Sequence, residues 1–326
     1  MTRHLRALYC ADTYPPQLNG VSVVTALSVQ GLRQRGWDVR VVSPAYPPIK
    51  DVFASALPDQ GQWTSTRIAS MPMPGYRDIR LAAPARGIVS RVMRDFKPDI
   101  VHSATEFMIG WMGQREAIRH GVPLVSSYHT DFSRYTVEYG VPWMRGSVRR
   151  YLGRFHRRSA RVYTPGADAV AELQALGIAD VELWGRGVDT ALFHPTRRDK
   201  VLRDIYAPDG AFLLLHVGRL AAEKSVECIL EAYARAKALM PADRPIRLIV
   251  AGSGPRERLL REAAPFDVTF LGNLDRTTSL PQLYASADAF LFASHTETLG
   301  LVILEAMASG LPVIATPVGG VADHLR

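Results

Sequence analysis

At 326 residues the chain is longer than one hydrophobic core usually fills, so two domains are the default expectation. Hydrophobic residues make up 47% of it, mean hydropathy is −0.01, and no apolar run nears the roughly 18 residues that span a bilayer, which excludes an integral membrane helix. The net charge of +8 lies wholly in the first part, with 24 basic and 16 acidic side chains through residue 190 and 15 of each beyond it. That bias suits anionic partners, although Arg outnumbers Lys 34 to 5, as a GC-rich genome alone would produce.

In chain order, residues 5–11 read as a strand whose apolar run is too brief for a signal-peptide core, which leads to a cytoplasmic expectation. Asn19-Gly20-Val21 then turns into a helix over 21–34, followed by a strand at 39–43. Residues 45–73, rich in Pro, Gln and Ser, read as an excursion over the first domain. Apolar strands at 100–103, 124–127 and 160–164 each precede a helical stretch, and the second half repeats the scheme at 212–217, 248–251, 268–271, 289–292 and 312–315. Continuous apolar strands separated by helices predict parallel sheets covered on both faces, hence an α/β chain of two doubly wound units. The boundary is set at 190, giving domains 1–190 and 191–326; the second ends soon after its last strand and reads as truncated. Cys10 and Cys228 are too far apart for a zinc or disulfide framework and are expected to be small buried hydrophobes.

Five groups of residues carry chemistry. Gly20 after the first strand would let a phosphate approach the backbone, though an ordinary helix start reads the same way. His129, just past the strand at 123–127, lies where ligands collect in open sheets; a structural hydrogen bond is the competing reading. Arg219 and Lys224 follow the strand at 212–217 and precede a helix, where unpaired cations oppose the helix dipole unless an anion compensates. Glu297 and Glu305 flank Gly300 at a loop-to-helix turn, which offers a phosphate the helix N-terminus and sugar hydroxyls a carboxylate on either side. A hydrolase acid–nucleophile pair is the alternative for these two carboxylates. Finally, residues 143–161 read as a helix with seven Arg and no acid, with Val148, Tyr151, Leu152 and Phe155 as a core-facing stripe. The basic face is either solvated or set against an anionic membrane, with Trp143 and Met144 at the interface. Ala251-Gly-Ser-Gly254-Pro255 lacks the third Gly of a dinucleotide fingerprint and reads as a strand-to-helix turn with Pro255 at the first helical position.

In their order along the chain, Pro15-Pro-Gln-Leu-Asn-Gly-Val21, Tyr128-His-Thr-Asp131, Gly185-Arg-Gly-Val-Asp189, Phe193-His-Pro195, Gly218-Arg-Leu-Ala-Ala-Glu-Lys224, Phe270-Leu-Gly272, the 297–305 stretch and Pro317-Val-Gly-Gly320 resemble the family-4 retaining glycosyltransferases. The opening motif and the Arg-Gly-Val-Asp segment look most like the bacterial GDP-mannose-dependent α-mannosyltransferases and their glucosyl- and sulfoquinovosyltransferase relatives. The resemblance implies the GT-B fold, two Rossmann-like domains facing across a cleft, the first for the acceptor and the second for the nucleotide-sugar. It implies that Gly20 brings a backbone N–H to the donor diphosphate and that Arg219 and Lys224 neutralise it. Glu297 would take donor-sugar hydroxyls and Glu305 the ribose. His129 would orient the sugar, Leu271 and Gly272 would face the base, and the N-terminus at Gly300, Leu301 and Val302 would face the phosphates. No cofactor or metal is expected, and no nucleic acid. The expected partners are a nucleotide-sugar, a lipid or glycan acceptor and, through 143–161, an anionic membrane at the cytoplasmic face. A non-catalytic nucleotide- or glycan-binding protein on the same fold is the reading from another class.

Overall fold

The structure, a computed structural model, describes residues 4–17, 19–46, 65–73, 76–185, 187–297 and 299–325. The chain forms two compact units: Met1–Ser133 with Met144–Gly185, and Arg134–Trp143 with Arg186–Arg326.

The first unit contains β1 (Arg6–Cys10), α1 (Gly20–Gln34), β2 (Asp38–Pro44), β3 (Ser65–Ile68), β4 (Ser70–Met73), β5 (Tyr76–Ala82), α2 (Arg86–Phe96), β6 (Ile100–Ser103), α3 (Met108–His120), β7 (Leu124–Ser127), the start of α4 (Phe132–Glu138), α5 (Arg145–His156), β8 (Arg161–Thr164), α6 (Ala167–Ala175) and β9 (Val181–Leu183). Its seven-stranded sheet runs β3-β2-β1-β6-β7-β8-β9, every pairing parallel. The apolar runs are continuous because successive side chains enter different cores. Leu8 and Cys10 pack with Val89, Met93 and Met112 of α2 and α3, whereas Ala7, Tyr9 and Ala11 pack with Ala26 and Val29 of α1.

The second unit contains α7 (Lys200–Tyr206), β10 (Phe212–Val217), α8 (Val226–Leu239), β11 (Ile246–Ala251), α9 (Glu257–Ala263), β12 (Val268–Gly272), α10 (Ser279–Ser286), β13 (Ala289–Phe292), α11 (Leu301–Ala308), β14 (Val313–Ala315) and α12 (Gly320–His324). Its parallel sheet runs β12-β11-β10-β13-β14. β10 divides its side chains in the same way: Leu213, Leu215 and Val217 face Leu283 and Ile303, and Leu214 faces Ile229 and Tyr233.

Four expectations need correction. Within 45–73, residues 47–64 lie outside the described residues, but the rest includes edge strand β3 and strand β4, which pairs antiparallel with β5 beyond it. An edge strand needs only one buried position, here Ile68, so no apolar run announces it. The stretch 143–161 is not one helix: a 3-10 turn at Pro142–Met144 precedes α5, and β8 begins at Arg161. Within it Leu152 and Phe155 are buried, but Tyr151 is exposed, its hydroxyl donating to the Glu106 carbonyl and accepting from Trp111 Nε1. Cys10 is buried but Cys228 is exposed, because the buried stripe of α8 runs through Val226, Ile229, Leu230 and Tyr233. Among the described residues no helix is long and apolar enough to cross a membrane.

Candidate active site

Ligands of open parallel sheets gather beyond the strand ends where the strand order reverses. In the second unit that point lies between β10 and β13. The loop after β10 carries Arg219 and Lys224, and the loop after β13 carries Glu297 and Gly300. Residues 78 positions apart in the chain therefore share one sheet edge. The Gly-x-Gly after β11 serves this edge by close packing. A Cβ on Gly252 would lie 1.9 Å from the Gly218 carbonyl oxygen, and one on Gly254 2.3 Å from that of Leu220. Pro255 sits in the turn before α9 rather than inside it.

Charge is arranged in pairs here. Lys224 Nζ donates to Glu297 Oε2 at 2.5 Å, with both side chains largely buried. The ammonium also lies 5.6 Å from the centroid of the Phe292 ring. Arg219 donates to Glu223 Oε1, and Tyr139 donates to Glu223 Oε2 at 3.2 Å. Glu223 is 0% exposed. The expectation of two cations without an anion is thus corrected: each already rests on a carboxylate. Gly319 fixes the other side of Glu297, since a Cβ there would lie 1.9 Å from the Glu297 carbonyl oxygen, which accepts from Gly320 N at 3.1 Å.

Gly300 precedes α11, whose first turn holds Leu301 and Val302. One turn on, Glu305 is 2% exposed. Its Oε1 accepts from Arg276 Nε at 3.1 Å and from Nη2, and its Oε2 accepts from Tyr284 Oη at 3.3 Å. Burial raises the pKa of this carboxyl, and Arg276 opposes the shift. The two glutamates belong to separate networks, unlike the opposed carboxyl pair of a glycoside hydrolase. Leu271 and Gly272 end β12, and the Gly272 carbonyl accepts from Gly252 N at 2.7 Å. Beneath the Gly218 turn, His216 donates from Nδ1 to the Leu291 carbonyl at 3.0 Å. Burial lowers its pKa to about 4, so the ring is neutral at neutral pH.

Gly20 and His129 belong to the first unit. Gly20 opens α1, which Asn19 caps by accepting from Ser22 N at 2.8 Å. A Cβ on Gly20 would meet nothing within 4 Å, so the packing described does not itself demand glycine there. His129 is buried beyond β7, its ring centroid 6.4 Å from that of Trp184. Asp131 caps the next turn by accepting from Ser133 N at 3.0 Å. Sequence reasoning passed over three charged groups, two of them buried and Arg276 partly so. Glu223 and Arg276 complete the ion pairs above. Asp12 accepts from Thr105 Oγ1, Ile109 N and Gly110 N, and burial raises its pKa to about 6. Charged residues left over from an apolar pattern were the available signal. Among the described residues no group of three or more His, Cys, Asp or Glu is placed to hold a metal ion.

Residues 18–192 match the description Glycosyltransferase Family 4, and residues 211–326 match Glycosyl transferases group 1. The chain belongs to glycosyltransferase family 4. This family-4 glycosyltransferase is 34% identical over 319 residues to a GDP-mannose-dependent alpha-mannosyltransferase of Mycobacterium tuberculosis (strain CDC 1551 / Oshkosh), covering 98% of this chain and 81% of that one. It is 35% identical over 262 residues to the sulfoquinovosyl transferase SQD2 of Arabidopsis thaliana, covering 78% of this chain and 49% of that one. Its fold is similar to that of Anabaena HepE, crystallised in complex with UDP, with a TM-score of 0.70 at 20% identity over 99% of this chain and 83% of that one. The two doubly wound units are those of the GT-B fold expected from the sequence.

Proposed function

We propose that this glycosyltransferase moves a hexose, with retention at the anomeric carbon, from a nucleotide-sugar to a lipid or glycan acceptor, and that the donor is GDP-mannose. The observation that carries the reading is the gathering of Arg219, Lys224, Glu297 and the α11 N-terminus at one reversal of strand order. The donor diphosphate shares Arg219 with Glu223 and takes Lys224 from Glu297, which, once released, accepts sugar hydroxyls. Negative charge builds on the leaving diphosphate as the glycosidic C–O bond breaks, and cations aimed there lower the barrier. The acceptor oxygen attacks from the face the nucleotide leaves, and the departing phosphate oxygen takes the acceptor's proton. Gly20 and His129 keep the roles the resemblance implies, a backbone donor to the diphosphate and an orienting partner for a sugar hydroxyl. The mannosyltransferase relative supports GDP-mannose; the sulfoquinovosyl relative supports transfer of a different sugar, and a UDP-sugar donor is the second reading.

The test is nucleoside-diphosphate release from a panel of GDP- and UDP-sugars, with product anomers assigned by NMR. GDP-mannose is expected to turn over, with retained configuration and undiminished rate in EDTA. A UDP-sugar preference moves the donor assignment, an inverted product removes the mechanism, and a rate abolished by EDTA and restored by Mg²⁺ removes the metal-free reading.

The acceptor is proposed to lie at an anionic membrane surface reached through α5. Arg145, Arg150, Arg154 and Arg157 are exposed, and Trp143, 79% exposed, precedes them. Arginines near such a surface contribute about 1 kcal/mol each. Arg150→Gln with Arg154→Gln should lower binding to phosphatidylglycerol-containing vesicles at least ~10-fold. Equal sedimentation with neutral phosphatidylcholine vesicles would remove the arginine–headgroup attraction from the reading, and sedimentation with neither vesicle would remove the membrane.

A further inference from the structure

Glu223 takes no part in the reaction above, yet it joins the two loops that would perform it. Its side chain accepts from Arg219 and Tyr139, and its carbonyl oxygen accepts from Ser294 Oγ at 3.0 Å and His295 N at 3.1 Å, on the loop leading to Glu297. At 0% exposure this carboxylate cannot turn to water when its partner leaves. Arg219, Lys224, Glu223 and Glu297 sum to zero charge before any donor arrives. A diphosphate must therefore share Arg219 with a fixed negative charge that stays in place. A nucleotide-sugar carries two diphosphate charges, whereas the free nucleoside diphosphate released after transfer gains a further ionisable oxygen. Glu223 therefore opposes the product more strongly than the donor.

We propose that Glu223 is a positioning residue that holds Arg219 at the sheet edge and, by its charge, weakens the hold on the nucleoside-diphosphate product so that it leaves. The proposal rests on the glycosyl-transfer reading. It differs from a merely structural role in the sign of one effect. Loss of a structural pin loosens ligand binding; loss of an opposing charge tightens it.

GDP and UDP are titrated calorimetrically into the wild type and into Glu223→Gln, Glu223→Asp and Tyr139→Phe. Glutamine keeps the shape and an acceptor for Arg219 but removes the charge. The diphosphate should bind Glu223→Gln about fivefold tighter or more, and the gain should be larger than for the corresponding monophosphate. Both kcat and donor KM should fall together, as expected when product release slows. Glu223→Asp, which keeps the charge, should not tighten binding. Tyr139 is 48% exposed, so loss of its hydroxyl should be tolerated. Without that donor Glu223 holds Arg219 more firmly, and diphosphate affinity should drop. Unchanged or weaker affinity in a folded Glu223→Gln protein overturns the proposal. Should that variant not fold, unchanged or tighter binding by Tyr139→Phe overturns it instead. A wild type that binds neither GDP nor UDP removes the donor reading along with it.

Discussion

Lys224→Ala should lower donor turnover by about 10²–10³-fold without unfolding the second unit, the range found when one charge-stabilising donor is removed from a site. Glu297→Ala should lower it comparably, yet the two variants should differ in binding. Lys224→Ala leaves the largely buried Glu297 without its 2.5 Å partner, and that bare carboxylate repels a diphosphate. Glu297→Ala frees the same ammonium for the phosphates. Nucleoside-diphosphate affinity should therefore fall in the first variant and hold or rise in the second, while turnover falls in both. The double variant should lose less than the product of the single losses, because the two side chains act as a unit. Initial rates and calorimetric titration of the three proteins decide it. A Lys224→Ala enzyme within threefold of wild-type turnover would place the leaving-group charge elsewhere.

The sheets were legible because each central strand serves two cores, so its apolar run is unbroken; Phe212-Leu-Leu-Leu-His-Val217 admits no other easy reading. Chain order then placed Arg219, Lys224, Glu297 and Gly300 at strand ends, and the reversal of order between β10 and β13 brought them to one edge. β3 and β9 were not legible, because Ser65-Thr-Arg-Ile68 and Val181-Glu-Leu183 are short edge strands whose polar residues interrupt any apolar run. The partners of the charged groups were hidden for a different reason. Glu223 adjoins Lys224 in sequence and reads as a solvated helix start, but the 3-10 turn over Ala222–Lys224 points consecutive side chains to different partners. Arg276 meets Glu305 across 29 residues, and no local spacing announces a pairing set by tertiary packing.

Arg276→Ala should destabilise the second unit by about 3–5 kcal/mol, the cost of leaving one member of a buried ion pair alone. Here the two side chains are only 14% and 3% exposed. The guanidinium also lies 5.0 Å from the Phe193 ring centroid, so packing is lost with the charge. Replacing both members, Arg276→Met with Glu305→Gln, should recover much of the loss because no bare charge remains. The pH dependence has a defined sign. Burial raises the pKa of Glu305 and Arg276 opposes that rise, so removing Arg276 raises it further. A carboxyl whose folded pKa exceeds its unfolded value favours the fold below the unfolded value, and that contribution is lost as pH rises through the folded one. The deficit of Arg276→Ala should therefore be largest at neutral pH and shrink on acidification, as urea unfolding at several pH values would measure. A deficit independent of pH would mean that packing on Phe193, not the charge, is what Arg276 supplies. The same variant tests the role of Glu305, because both of its oxygens are engaged and ribose reaches them only by sharing or displacing Arg276. If nucleotide affinity is unmoved while stability falls, Glu305 is a buttress of α11 and the ribose is held by another group.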